Sequence, residues 1–383
     1  MTLKRFTTLL TISAAMLASK ATTAQISGFE TAAPHAVIMD SATGLVLFEK
    51  DARRPVPPAS MTKILTAEMV FDALREGRIT MDTEFKVSEE AWRRGGAKSG
   101  SSTMFLKLGS SVRVEDLLRG VIIQSGNDAC IVLAEGLAGS ETAFADMMTA
   151  HARKVGLDSV TFRNATGWPH EEHRISTYDL AQLGQRSVER YPEFYGIYSE
   201  KDFTWNGIRQ GNRNPLLGQF TGADGLKTGH TEVSGYGLVG SAKRGDDRRI
   251  IVLNGLDSKR QRREESVRLM TAAFDSFSAY KLYDANQSVG PVKVYMGVSD
   301  EVDAVIPQDL HVGLYRPDRS KLRTQMRYKT VAAPIAKGDV IAELIVMEPG
   351  KPERAISLVA ADDVARLGAV GRAMKSLKTK IGG

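Results

Sequence analysis

The stretch Pro57-Pro58-Ala59-Ser60-Met61-Thr62-Lys63 marks the point where an extended segment gives way to a helix. Two consecutive prolines end the extended part, and a proline just ahead of a helix suits its first turn. From Ser60 onward, apolar residues recur at helical spacing, namely Ile64, Leu65, Met69, Val70 and Leu74. The sequence therefore predicts that Ser60 lies at the N-terminus of a helix.

Ser60 and Lys63 have the spacing of a nucleophile and its base. A helix brings residues i and i+3 to neighbouring positions, so the Lys63 amine can reach the Ser60 hydroxyl. Backbone N–H groups at a helix start can also stabilise an oxyanion. A lysine acts as a base only when it is neutral, which requires burial or a nearby cation. The spacing alone is not specific, because Ser278-Ala279-Tyr280-Lys281 repeats it; a solvated helix face explains either pair taken singly, and we interpret the second pair as coincidence.

The segments around this stretch predict an α+β fold. Apolar runs on both sides of the polar turn 40–44 indicate an early hairpin, and residues 110–200 are mostly helical by pattern. A late hairpin over 234–256 precedes a helix with one apolar face. We expect one antiparallel sheet assembled from both ends of the domain, with helices packed against it.

The pattern changes after about Tyr283. Apolar residues alternate with other residues in 292–298 and 340–346, and Pro and Gly separate the runs. A chain of 383 residues is long enough for two domains. We therefore predict a first domain over residues 25–282 and a small all-β sandwich domain over 283–361.

Two further motifs lie in the first domain. Ser125-Gly126-Asn127 interrupts a helical pattern, and by itself it is best explained as a helix cap or turn. Lys227-Thr228-Gly229 stands just before the late hairpin. It is either a polar entry into a strand or a site where an ammonium, a hydroxyl and an open backbone edge receive an extended peptide.

The three motifs in this order are far more specific than any one of them. Ser-x-x-Lys, Ser-Asp-Asn and Lys-Thr-Gly are typical of class A β-lactamases and penicillin-binding proteins, and this chain has Ser-Gly-Asn in the second place. With the flanking stretches 57–63, 100–107, 124–130 and 224–231, the pattern closely resembles the low-molecular-mass D-alanyl-D-alanine carboxypeptidases over residues 35–365. The resemblance implies a β-lactamase/transpeptidase-like first domain.

The resemblance also implies roles for the reacting groups. Ser60 would attack the carbonyl between two D-alanines, Lys63 would take its proton, and Ser125 would help pass a proton to the departing D-alanine. Asn127 would hold the amide on the acyl side. The backbone N–H groups of Ser60 and His230 would form the oxyanion hole.

Recognition of the substrate's terminal carboxylate falls to cations and a hydroxyl. By resemblance, Lys227 supplies charge and Thr228 binds the carboxylate, with Gly229 completing the motif and Arg213 and Arg262 assisting. Cationic and hydroxyl donors at one end of the groove suit a free carboxylate. A β-lactam would acylate Ser60 too, and we expect its release to be slow.

A histidine-rich loop, His170-Glu171-Glu172-His173, suggests a zinc site at first sight. Its spacing matches neither of the common metalloprotease patterns, so a solvated loop is the better interpretation. We expect neither a metal nor a cofactor. Glu171 and Glu172 lie in a plausible place for activating the deacylating water, but their surroundings do not match the glutamate of class A β-lactamases.

The N-terminus predicts export. Lys4 and Arg5 precede the apolar run 9–17, and Ala21-Thr22-Thr23-Ala24 ends in small residues suited to signal peptidase. The run is shorter than the ~20 residues that span a bilayer. We predict a signal peptide over residues 1–24 and a periplasmic protein. Export, together with the lack of an Arg-rich run with interleaved aromatics, disfavours nucleic acid as the partner of a chain with net charge +6.

Residues 362–383 carry the pattern of an amphipathic helix. Apolar residues at helical spacing lie among the cations Arg366, Arg372, Lys375, Lys378 and Lys380. This composition fits a helix lying on an anionic membrane surface, here the outer face of the cytoplasmic membrane. The alternative is an ordinary helix docked on its own β domain.

Three functions follow. The first is a carboxypeptidase that trims the terminal D-alanine from peptidoglycan stem peptides ending in D-Ala-D-Ala. The second is a D,D-endopeptidase or β-lactamase with the same nucleophile. The third is a non-catalytic wall-binding scaffold, which would have no need of a Ser-Lys pair.

Overall fold

The computed structural model describes residues 28–381, so the predicted signal peptide lies outside the described residues. The strands, in chain order, are β1 (His35–Asp40), β2 (Val46–Lys50), β3 (Glu84–Lys86), β4 (Ser111–Arg113), β5 (Asp202–Trp205), β6 (Ile208–Gly211), β7 (Ala223–Thr231), β8 (Gly235–Arg244), β9 (Asp247–Leu256), β10 (Phe277–Tyr283), β11 (Ser288–Tyr295), β12 (Glu301–Val305), β13 (Leu310–Tyr315), β14 (Arg323–Arg327), β15 (Val331–Ala332), β16 (Val340–Met347) and β17 (Arg354–Ala360). The α-helices are α1 (Lys63–Arg75), α2 (Val114–Arg119), α3 (Asn127–Ala138), α4 (Glu141–Lys154), α5 (Thr177–Arg190), α6 (Pro192–Tyr195), α7 (Lys259–Asp275) and α8 (Ala369–Ile381).

The first domain is built on a five-stranded sheet with the order β2-β1-β9-β8-β7. All its neighbouring strands are antiparallel. The early hairpin β1-β2 joins the late strands through β1 and β9, as predicted from the sequence. Among the described residues, strand β7 is at the edge of this sheet, and one side of its backbone has no sheet partner there.

The sheet separates two hydrophobic cores because successive side chains of a strand point to opposite faces. In β1, Val37 and Met39 enter the core shared with α1, α3 and α5, whereas Ala36 and Ile38 enter the core under α7. Burial on both faces explains the continuous apolar run in this strand. The larger core supports the helix that follows Ser60.

The second part of the chain has its own core. Six of the strands from β11 onward form a sheet with the order β14-β16-β17-β12-β11-β15, and the remaining one, β13, pairs with β10. Buried side chains such as Val292, Leu344 and Leu358 fill the interior. The predicted all-β domain is therefore confirmed, and the expected boundary at residue 282 falls inside β10, whose Tyr280 and Leu282 pack against this core.

Helix α8 follows the β domain, as the pattern of apolar and basic residues predicts. Val370 and Met374 are exposed on it, at 76% and 67%. Within residues 28–381, none of the helices combines the length and the apolar character needed to cross a membrane.

Candidate active site

Ser60 lies in a short 3₁₀ turn, Ala59–Thr62, that leads directly into α1. The predicted helix start is correct, although the α-helical part begins at Lys63. Ala59 has a φ of +49°, in the left-handed region that residues with a side chain rarely adopt. The Ser60 hydroxyl is half-buried and lies 3.0 Å from Lys63 Nζ.

Lys63 is buried, with 1% of its side chain surface exposed. Its Nζ contacts three oxygens: Ser60 Oγ at 3.0 Å, Asn127 Oδ1 at 2.8 Å and the Thr166 carbonyl at 2.5 Å. Burial lowers the pKa of Lys63 from 10.5 to about 8. A neutral amine has two N–H donors and one lone pair. Donation to Asn127 and Thr166 therefore leaves the lone pair for the Ser60 proton.

The Ser125-Gly126-Asn127 motif forms the turn between a π-helical segment, Gly120–Gln124, and α3. Ser125 is buried and has a φ of +61°, so the chain reverses there. Asn127 begins α3; its side-chain amide donates to Ser101 Oγ at 2.9 Å, and its backbone N–H donates to the Ser102 carbonyl at 2.8 Å. The motif thus joins the Lys63 amine to the Gly- and Ser-rich segment 95–102, which forms one wall of a groove beside Ser60.

Lys227, Thr228 and Gly229 lie on the edge strand β7, and all three are buried. Gly229 passes close to the turn that carries Ser60: a Cβ there would lie 2.7 Å from the Pro58 carbonyl oxygen and 3.2 Å from Ala59 Cβ. Only a residue without a side chain lets the strand approach this closely. Strand β7, which has an open edge, therefore packs against the turn that carries Ser60, and this arrangement is compatible with the peptide-binding interpretation of the motif.

Four cations surround this groove: Lys63, Lys227, Arg213 and Arg262. Burial, followed by the charges of Lys63 and Arg213, holds the pKa of Lys227 well below its usual value. Arg262 reaches in from α7 and donates to the Gly229 carbonyl at 3.4 Å; burial lowers its pKa to about 10, so it stays charged at neutral pH. Arg213 is exposed and donates to Ser102 Oγ at 2.5 Å. Such a cluster favours an anionic ligand.

His230 follows Gly229 on β7, and its exposed side chain stacks on Tyr236 with 3.8 Å between ring centroids. The next N–H, that of Thr231, is directed into the hairpin, where it donates to Ser234 Oγ at 3.0 Å. Successive N–H groups of a strand point to opposite sides. The backbone N–H of His230 therefore faces the open edge.

Sequence reasoning missed two residues that shape the site. Asp128 is fully buried, and its carboxylate accepts hydrogen bonds from Thr103 Oγ1 at 2.7 Å, Met104 N at 2.8 Å and Leu106 N at 3.1 Å. These hydrogen bonds hold residues 103–106, which directly follow the groove wall, against the start of α3. An acidic residue directly after Ser-Gly-Asn, at the start of a helix whose next residues are all apolar, was the available signal.

Asn164 is the second missed residue. Its Oδ1 accepts hydrogen bonds from the backbone N–H groups of Thr166, Gly167 and Trp168 at 2.7–3.2 Å. These bonds curl the chain so that the Thr166 carbonyl points at Lys63. The site thus includes a backbone acceptor, which no side-chain pattern reveals.

The histidine-rich loop does not converge on a metal site. Glu171 and Glu172 are exposed, and Glu172 pairs with Arg163 at 2.8 Å. His170 is exposed, whereas His173 is buried beside Thr62. Across residues 28–381, no group of three or more His, Cys, Asp or Glu side chains could hold a metal ion.

Comparison with known proteins matches both parts of the chain to family models. Residues 19–258 match the model described as D-alanyl-D-alanine carboxypeptidase, and residues 277–366 match the model described as penicillin-binding protein 5, C-terminal domain.

Individual relatives agree with these matches. The chain is 38% identical to D-alanyl-D-alanine carboxypeptidase DacC of Escherichia coli over 340 residues, which cover 88% of this chain and 85% of the relative. It is 32% identical to DacF of Bacillus subtilis over 88% of this chain and 87% of that protein. The crystal structure of penicillin-binding protein 5 from Haemophilus influenzae superposes with a TM-score of 0.72 at 34% identity, covering 89% of this chain and all of that one.

Proposed function

The chain belongs to the family of D-alanyl-D-alanine carboxypeptidases, and from this premise we propose that Ser60 is the nucleophile with which it removes the terminal D-alanine of peptidoglycan stem peptides. It is a serine-type carboxypeptidase that also binds β-lactams. The observation that carries the proposal is the Ser60 hydroxyl placed 3.0 Å from a buried lysine amine, beside an open strand edge.

Acylation begins with proton transfer from Ser60 Oγ to neutral Lys63. The oxygen attacks the carbonyl carbon between the two D-alanines, and the negative charge moves onto the carbonyl oxygen. The backbone N–H groups of Ser60 and His230 stabilise that oxyanion. Two such donors, already in place, strengthen their interaction as charge develops.

Collapse of the intermediate breaks the carbon–nitrogen bond. The departing amine of D-alanine takes the proton, which Lys63 returns with help from Ser125. The product at this stage is an ester between the shortened peptide and Ser60. Water then cleaves the ester, and we assign activation of this water to Lys63, because it is the ionisable group hydrogen-bonded to Ser60 Oγ. Glu171 and Glu172 receive no role, since both are exposed.

The cation cluster determines which peptide end is accepted. The free carboxylate of the last D-alanine binds Thr228 and the positive charge of Lys227, Arg213 and Arg262. The peptide backbone runs along the edge of β7, where it adds as a further strand. On the acyl side, the Asn127 amide holds the substrate. A substrate without a free carboxylate near the scissile bond would leave the two buried cations, Lys227 and Arg262, uncompensated.

Two measurements test the proposal. Incubation with a pentapeptide ending in D-Ala-D-Ala should release free D-alanine, and the intact protein should gain the mass of penicillin after brief exposure. Peptide mapping should place that adduct on Ser60, and Ser60→Ala should lack it. An adduct on another residue would overturn the assignment. Cleaved cross-links or rapid penicillin turnover would instead favour the endopeptidase or β-lactamase alternative.

Export and membrane attachment complete the proposal. We propose that residues 1–24 are a signal peptide, that the first domain begins at residue 25 and gives way at β10 to a β domain that ends at residue 361, and that residues 362–383 bind the outer face of the cytoplasmic membrane. The exposed Val370 and Met374 of α8, with basic residues around them, support this attachment. Deletion of the residues after Asp362 should release the mature protein from membranes, and continued attachment of the truncated protein would contradict it.

A further inference from the structure

The segment 155–176, which connects α4 to α5, packs against the turn Ala59–Thr62 that carries the proposed nucleophile. Its Ala165 carbonyl accepts from Thr66 Oγ1 at 2.7 Å, and its Thr166 carbonyl accepts from Lys63. Gly167 packs directly on Ala59; a Cβ at Gly167 would lie 1.9 Å from the Ala59 carbonyl oxygen. Because 3₁₀ turns have poorer hydrogen-bond geometry than α-helices, the turn Ala59–Thr62 needs such support.

His173 supplies a fourth contact from the same connection. Its Nδ1 accepts the backbone N–H of Arg163 at 3.1 Å, so the ring proton must lie on Nε2. Nε2 then donates to Thr62 Oγ1 at 2.9 Å. Both partners are nearly inaccessible: His173 is 2% exposed and Thr62 is 0% exposed. Thr62 stands between the two reacting residues, Ser60 and Lys63.

His173 is uncharged, so its hydrogen bond to Thr62 does not change with pH near neutrality. Burial lowers its pKa to about 3, and the neighbouring cations Lys63, Arg163, Arg174 and, when protonated, His170 act in the same direction. The imidazole is therefore neutral at neutral pH. It cannot serve as a proton carrier for the reaction, yet it keeps one tautomer and one donor.

We propose that His173 is a positioning residue for acylation: through Thr62 it holds the turn so that Ser60 Oγ stays on Lys63 Nζ. This inference rests on the proposed roles of Ser60 and Lys63. A left-handed residue, Ala59, at the start of the turn adds strain that surrounding contacts must offset. Loss of the His173 contact lets the turn relax away from the lysine.

The test replaces His173 by amides that retain a polar group at the position of only one of the two imidazole nitrogens. His173→Gln retains an N–H donor at the Nε2 position, whereas His173→Asn retains only a group at the Nδ1 position. Thr62→Val removes the acceptor without changing shape, and Thr62→Ser restores it. His170→Asn is the matched control, because His170 is exposed on the same loop. The measurement is the second-order rate of labelling by a fluorescent penicillin, per folded molecule, from pH 5 to 10.

We expect His173→Asn and Thr62→Val each to slow labelling about 10- to 100-fold, because small misplacements of reacting groups have effects of this order. The double variant should be no slower than either single one, since both remove the same contact. His173→Gln, Thr62→Ser and His170→Asn should stay near the wild-type rate. The rise of the rate with pH should also move to higher pH in the slow variants, because a loosened turn exposes Lys63 to water.

Three outcomes would overturn the inference: wild-type labelling by His173→Asn, independent losses that multiply in the double variant, or a lower melting temperature with an unchanged rate and pH profile. Labelling of Ser60→Ala is a different result. It would refute Ser60 as the nucleophile, and the His173 variants would then say nothing about positioning. Failure of the proposed nucleophile can therefore be distinguished from failure of the His173 inference.

Discussion

Ser60–Lys63 and Ser278–Lys281 share one spacing, and they differ in almost everything else. The first pair lies in a 3₁₀ turn running into α1, where the two side chains meet at 3.0 Å. The second lies in β10, where residues i and i+3 point to opposite faces and their Cα atoms are about 10 Å apart. Ser278 Oγ accepts instead from Arg316 at 2.8 Å.

The two lysines also have opposite electrostatics. Lys63 is buried, and loss of hydration lowers its pKa to about 8. Lys281 is exposed and forms ion pairs with Asp284 and Asp309, which raise its pKa. A lysine in water between two carboxylates cannot act as a base at neutral pH. The comparison shows that backbone conformation and burial, rather than residue spacing, bring a serine and a lysine into contact and lower the pKa of the lysine.

Exchange of each lysine for methionine tests this comparison most strongly. Lys63→Met should lower the rate of Ser60 acylation at least about 1000-fold, because it removes the proposed general base. Lys281→Met should leave the rate unchanged and have little effect on the melting temperature, since exposed ion pairs contribute little. Labelling with a fluorescent penicillin measures both rates. Equal decreases in the labelling rate of Lys63→Met and Lys281→Met would contradict the conclusion that only the first Ser-Lys pair takes part in acylation.

The second-largest effect on the acylation rate should come from separating β7 and the turn that carries Ser60. Gly229→Ala places a Cβ 2.7 Å from the Pro58 carbonyl oxygen, so the strand and the turn must separate. We expect acylation to slow on the order of 10- to 100-fold. Gly196→Ala is the control, because its Cβ would meet nothing within 4 Å and its φ of −53° is ordinary. A normal rate in Gly229→Ala would show that the close approach is dispensable.

The pH dependence of acylation should reflect Lys63 and not Lys281. Below pH 8 the neutral, proton-accepting fraction of Lys63 falls, so the rate should decrease about tenfold per pH unit and level off above pH 8. Stopped-flow labelling at constant ionic strength measures this profile. Lys281→Met should leave its midpoint in place. A flat profile between pH 6 and 8 would mean that another group takes the serine proton.

Local patterns predicted most of the fold correctly. Alternating and 3.6-residue periodicities located the two hairpins, α7 and the all-β domain, because each reflects which side of one element is buried. The turn at Ser125 was evident from residue types that favour caps. The turn that Asn164 stabilises and the contacts of Asp128 were not evident, since single buried polar residues produce no periodic pattern in the sequence.

The sequence by itself determined which groups are present and in what order: Ser60 ahead of a helix, Asn127 in a cap or turn within a helical pattern, and Lys227 just before the late hairpin. Only the tertiary structure decided that they meet. The Lys63 amine finds its acceptors 64 and 103 residues away, at Asn127 and at the Thr166 carbonyl. The proposed reactivity of Ser60 depends on this convergence, because the desolvation that lowers the pKa of Lys63 is a property of packing between distant segments.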